Sequence, residues 1–125
     1  MGGRYASDAS PPERTIISAL NYVVSLLDLE RFEEAKKLLR KTIPVARRVL
    51  GEGDRLALKI RWNYAIALYR DDDATLDDLR EAVTTLEETA RTARRVFGSA
   101  HPTTDGIERS LRNARATLRA RETSV

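Results

Sequence analysis

Arg47-Arg48-Val49-Leu50-Gly51 returns as Arg94-Arg95-Val96-Phe97-Gly98, at an offset of 47 residues. Around it, Leu29-Glu30-Arg31-Phe32-Glu33-Glu34-Ala35 matches Leu76-Asp77-Asp78-Leu79-Arg80-Glu81-Ala82 at the same offset. Upstream, Asn21-Tyr22 returns as Asn63-Tyr64 at an offset of 42, so the second copy carries five extra residues, Asp71-Asp72-Asp73-Ala74-Thr75. A period of this size with helical patterning is a helical repeat, in which each unit buries its apolar face by stacking on a neighbour. Such repeats bind partners far more often than they do chemistry, so function is sought on a surface.

The helices follow from apolar spacing and caps. Ser10-Pro11-Pro12-Glu13 reads as a capped helix start. Ile16, Ile17, Leu20, Val23, Val24 and Leu27 then form a stripe ending near Asp28. A second helix is expected over about 31–50, with Pro44 kinking it without breaking it and Gly51 as its left-handed C-terminal residue. Asp54 caps a third helix reaching Arg70. Thr75 with Asp78 caps a fourth that Gly98 stops, and His101-Pro102 opens a fifth, to about Arg121. No segment alternates apolar and polar residues at period two. The fold class is therefore all-α, two helix pairs and a closing helix, with residues 10–121 as the repeat domain. Residues 1–9 and 122–125 are expected to be flexible ends.

Composition narrows the function. Of 125 residues, 42% are hydrophobic and 33% charged, with no Cys and one His. Disulfides, thiolate chemistry and a zinc site built on His and Cys are excluded. No apolar run approaches the ~18–20 residues of a membrane span, and no secretory leader is evident, so a cytoplasmic setting is expected. A net charge of +3 is too small for a dedicated nucleic-acid binder.

The chain resembles tetratricopeptide repeats of the kinesin-light-chain type. Phe97-Gly98-Ser99-Ala100-His101-Pro102 fits that family's linker, and Leu50-Gly51-Glu52-Gly53-Asp54 is a degenerate copy of it. Asn21-Tyr22-Val23 and Asn63-Tyr64-Ala65 occupy the Asn-x-Leu-Ala place, with Asn113-Ala114-Arg115 as a weaker third copy. Arg31-Phe32-Glu33-Glu34-Ala35 matches the start of the family's second helix. The resemblance spans roughly residues 14–120. It implies an α-α superhelix whose first, third and fifth helices line a concave face, and no cofactor.

The resemblance also implies a site. Asn21, Asn63 and Asn113 would point into the groove, where an amide offers donor and acceptor to a peptide backbone. Counting along the helices from each Asn adds an apolar floor of Ile17, Leu20, Val24, Trp62 and Ile66. It also adds a basic end of Lys59, Arg70, Arg109 and Arg112. That lining suits an extended acidic peptide with a bulky apolar residue. The plainer reading makes Trp62 core and has the Asn residues bond the neighbouring repeat. Ala35 and Ala82 sit where a small residue lets paired helices approach.

Other features carry less. Arg109, Arg112, Arg115 and Arg119 read as the solvated outer face of the last helix. Asp71, Asp72, Asp73, Asp77 and Asp78 lack the spacing of a calcium loop and read as a solvated loop with helix N-terminal charges. His101 before Pro102 reads as structural. Glu122-Thr123-Ser124-Val125 fits a C-terminal ligand for domains that capture a carboxylate. No nucleophile–base pair has a reason to assemble, so no enzyme is expected. The leading function is a peptide-binding module for a protein partner. The alternatives are homo-oligomerisation or a structural scaffold segment, and behind them a nucleic-acid-binding repeat.

Overall fold

The structure is a computed structural model that describes residues 11–124. Ser10 and the segment 1–9 lie outside the described residues, as does Val125. Five helices follow in order: α1 Pro11–Asp28, α2 Phe32–Leu50, α3 Arg55–Tyr69, α4 Leu76–Phe97 and α5 Pro102–Thr123. Among the described residues there is no strand. Each helix packs mainly on its sequence neighbours, with lighter contacts from α1 to α3 and from α3 to α5. That is the contact pattern of an open α-α stack and not of a closed bundle.

The repeat read from the sequence is a repeat in space. Five of the six buried residues on each helix correspond at 47 residues: Phe32, Ala35, Leu39, Thr42 and Ala46 on α2 with Leu79, Ala82, Leu86, Thr89 and Ala93 on α4. Ala35 and Ala82 are both fully buried, as their place between paired helices requires. Thr42 and Thr89 each turn their hydroxyl back to the carbonyl four residues earlier, Leu38 at 2.7 Å and Thr85 at 2.6 Å. This leaves their methyl groups for the core.

Local chemistry sets the helix ends. α1 stops in a Schellman-type turn: Arg31 N donates to Leu26 O at 2.8 Å and Glu30 N to Leu27 O at 3.0 Å. Glu30 takes the left-handed position at φ 58°. Asp54 caps α3 by accepting from Leu56 N at 2.8 Å. Thr75 and Asp78 form the expected reciprocal capping box on α4. α2 runs unbroken through Pro44, which sits on its exposed side.

The structure corrects several expectations. Gly51 and Gly98 have positive φ, 86° and 89°, but ψ of 157° and 161°. They therefore lie in the extended region open to glycine alone, and not in the left-handed helical one. Leu26, which the apolar stripe of α1 left out, is buried in the core, while Ile17 and Val24 of that stripe are exposed on the face expected to line the groove. The last helix continues through Thr123, so Glu122 and Thr123 of the expected tail are helical. The acidic insertion is not simply solvated. Buried Lys36 pairs with Glu33 of its own helix at 2.5 Å and reaches Asp71 of the insertion at 3.6 Å, and Arg121 of α5 donates to the carbonyls of Ala74 and Asp72.

Candidate functional site

Seven of the residues expected in the groove share one cleft. Leu20, Asn21 and Val24 of α1 face Lys59, Trp62, Asn63 and Ile66 of α3 across a space of about 370 Å³. Spacings of three and four residues put each set on a single helix face. The two sets correspond at the 42-residue offset, Leu20 to Trp62, Asn21 to Asn63 and Val24 to Ile66. Ile17, the counterpart of Lys59, is 37% exposed on the same face of α1. The volume lies within the ~300–1,000 Å³ range of binding clefts.

Among the described residues, neither amide side chain bonds the neighbouring repeat. Asn63 Nδ2 donates to Lys59 O at 2.8 Å within its own helix. Among the described residues its Oδ1 accepts nothing, and no bond crosses to a neighbouring repeat. Asn21 is exposed. Trp62 answers to both readings. It lines the cleft, and its indole N–H donates to Ser110 Oγ on α5 at 2.8 Å.

The basic end of the expected groove does not assemble around this cleft. Arg70 is the exposed C-cap of α3. Arg109 is held by Asp105 at 2.7 Å on its own helix. Arg112 lies in a different cleft, between α4 and α5. Asn113 is displaced by register. Counted from the caps Asp54 and His101, the position of Asn63 in α5 is Ser110, and Asn113 corresponds to Ile66. Matching by residue type put the third copy three residues too far along. Arg115, expected in a solvated stripe, pairs with Glu87 of α4 at 2.9 Å.

Sequence reasoning passed over Gly106. A Cβ there would stand 2.5 Å from Cη2 of Trp62, so this glycine makes room for the indole on α5. Its one signal was a glycine in a helix interior that no turn required.

Behind the groove, Tyr64 ties three helices together. Its hydroxyl donates to Glu81 of α4 at 2.7 Å and accepts from Arg40 Nε of α2 at 3.5 Å. Burial and the Glu81 carboxylate push the phenol above its ordinary pKa, against the pull of Arg40. Arg61 is buried nearby. Burial and the neighbouring Arg47 lower its pKa, opposed by Glu52 and Glu88. His101 caps α5, with Nδ1 accepting from Thr103 N at 3.1 Å and the ring stacked 4.6 Å from Phe97.

A profile of the tetratricopeptide repeat matches residues 15–55 and 72–103. The chain belongs to the tetratricopeptide repeat family. The matched segments take in most of α1 and all of α2 and α4, together with the linkers at Gly51 and Gly98. No curated protein and no solved structure matches the chain significantly. Tetratricopeptide repeats mediate protein–protein interaction and form a non-catalytic family. No helix among the described residues is long and apolar enough to cross a membrane.

Proposed function

We propose that this tetratricopeptide repeat chain is a non-catalytic scaffold module that holds an extended segment of a partner protein in the cleft between α1 and α3. One observation carries the reading: Leu20, Val24, Trp62 and Ile66 form an apolar floor with Asn21, Asn63 and Lys59 at its edge. An apolar side chain of the peptide fills the floor. The two amides bond its backbone, and the Lys59 ammonium takes a carboxylate. The acidic preference rests on that one lysine and is correspondingly modest. The linker at Phe97–Pro102 and the two Asn positions support a kinesin-light-chain-like member of the family, acting in the cytoplasm.

The test uses the chain's only tryptophan. Peptides with one bulky apolar residue flanked by acidic ones are titrated while Trp62 emission is followed. Asn63→Ala is expected to weaken binding by roughly 1–3 kcal/mol, because peptide groups lose their partner. The melting temperature should hold, since Asn63 bonds only its own helix. A fall in stability with no peptide bound would replace the groove by the structural reading, and concentration-dependent mass would favour homo-oligomerisation.

A further inference from the structure

A second cleft, about 570 Å³ between α4 and α5, is built like a seat that is filled one repeat earlier. In the register set by the caps, α3 and α5 correspond at 47 residues. Both bury the same four positions: Ala57, Ile60, Tyr64 and Ala67 on α3, and Thr104, Ile107, Leu111 and Ala114 on α5. α3 buries four more, Leu58, Arg61, Ala65 and Leu68. Their counterparts on α5 are Asp105, Glu108, Arg112 and Arg115, none of them buried. α3 packs on the helices before and after it, whereas among the described residues α5 packs on α4 and more lightly on α3. The additional face is therefore the one that a following helix covers.

The occupant of the earlier seat is α4. Its Glu81 takes the Tyr64 hydroxyl, and the charge of its Glu88 acts on Arg61. In the later seat Leu111 stands for Tyr64, Glu108 for Arg61 and Arg94 for Arg47. Arg94 pairs with Glu108, and Arg115 pairs with Glu87. Arg91 and Arg112 also line the cleft and, among the described residues, have no carboxylate partner. An ordinary apolar repeat helix would desolvate both guanidinium groups without supplying a carboxylate, which disfavours it against an acidic one.

We propose that the α4/α5 cleft docks an acidic amphipathic helix of a partner protein, whose carboxylates meet Arg91 and Arg112 over a floor of Ala90 and Leu111. A helix is expected because a helix fills the equivalent seat. An acidic one is expected because two arginines are left over. A second copy of this chain fits poorly, since the chain carries net charge +3 and none of its five helices has a marked acidic surplus. The site is separate from the α1–α3 cleft, so either can fail without the other.

The probes are two synthetic helix-forming peptides of about 20 residues. Each has Leu on one face, flanked by Glu in one peptide and by Lys in the other. The full chain is titrated with each while its amide resonances are recorded. The Glu peptide should bind, lose affinity as salt rises, and shift Ala90 and Leu111 but not Val24 or Ile66. Arg91→Glu with Arg112→Glu should weaken it about tenfold or more. Both residues are exposed, so the helical signal should persist. If the reversed pair unfolds, Arg91→Gln with Arg112→Gln must show the same direction of loss. The proposal is overturned if neither peptide binds, if the Lys peptide binds as well, or if the double variant binds unchanged. It is also overturned if sedimentation shows a dimer that the double variant abolishes, because the seat would then belong to a second copy.

Discussion

The indole N–H of Trp62 donates to Ser110 Oγ at 2.8 Å, one turn along α5 from Gly106, whose missing Cβ leaves room for the same ring. A groove residue of one repeat is thus seated on the next. The hydrogen bond and the close approach of Gly106 fix where the indole sits at the floor of the α1–α3 cleft.

Gly106→Ala is expected to destabilise the fold. The added Cβ would stand 2.5 Å from Cη2 of the indole. Displacing a packed ring costs about 1–3 kcal/mol, more than the roughly 0.5–1 kcal/mol that Ala gains over Gly in a helix. The melting temperature should fall and Trp62 emission should shift to the red. Ser110→Ala removes only the hydrogen bond and should cost about 0.5–1.5 kcal/mol.

Gly51→Ala and Gly98→Ala should each cost on the order of 1–3 kcal/mol through the backbone alone. Nothing lies within 4 Å of an added Cβ at either position, so the cost is conformational. Denaturant unfolding of both variants checks this. Equal losses at the two sites are expected, because the two linkers have the same geometry.

Thr104→Val should stabilise the protein. Thr104 is fully buried on α5, and its Oγ1 has no partner among the described residues. Replacing the hydroxyl with a methyl group removes a desolvation penalty of about 1 kcal/mol or more. A raised melting temperature is the expected result, and a lowered one would reveal a hydrogen bond to solvent at this site.

Stability should fall in alkali. Burial alone would lower the Lys36 pKa, but its hydrogen bond to Glu33 and the charges of Glu33, Asp78 and Asp71 raise it above the ordinary 10.5. The Tyr64 pKa lies above the ordinary 10.0. In each case the folded state keeps a proton that the unfolded chain has begun to lose. Both contributions are therefore complete below the ordinary values and disappear as pH rises through the folded ones. Melting temperatures recorded from about pH 8 to pH 12 should decline above about pH 10, and less steeply in Lys36→Met with Tyr64→Phe.

The sequence by itself determined the number of helices, their order and most of their ends. These depend on groups close together in the chain: Asp54 accepts from Leu56, Thr75 and Asp78 cap each other, and Gly51 and Gly98 take conformations closed to other residues. It also brought Asn21 and Asn63 into one cleft, because residues at one repeat offset share one helix face. Only the tertiary structure decided which face of α5 points where. A helix turns about 100° and rises about 1.5 Å per residue, so a register read from Asn113, and not from the cap His101, misplaces a side chain by about 60° around the axis and about 4.5 Å along it. Arg112 accordingly opens on the α4/α5 cleft and not on the groove. The burial of Lys36 and the seating of Trp62 on Gly106 were likewise beyond the sequence. Each joins residues far apart in the chain, Lys36 with Asp71 and Trp62 with Ser110, and no local preference of either partner encodes the meeting.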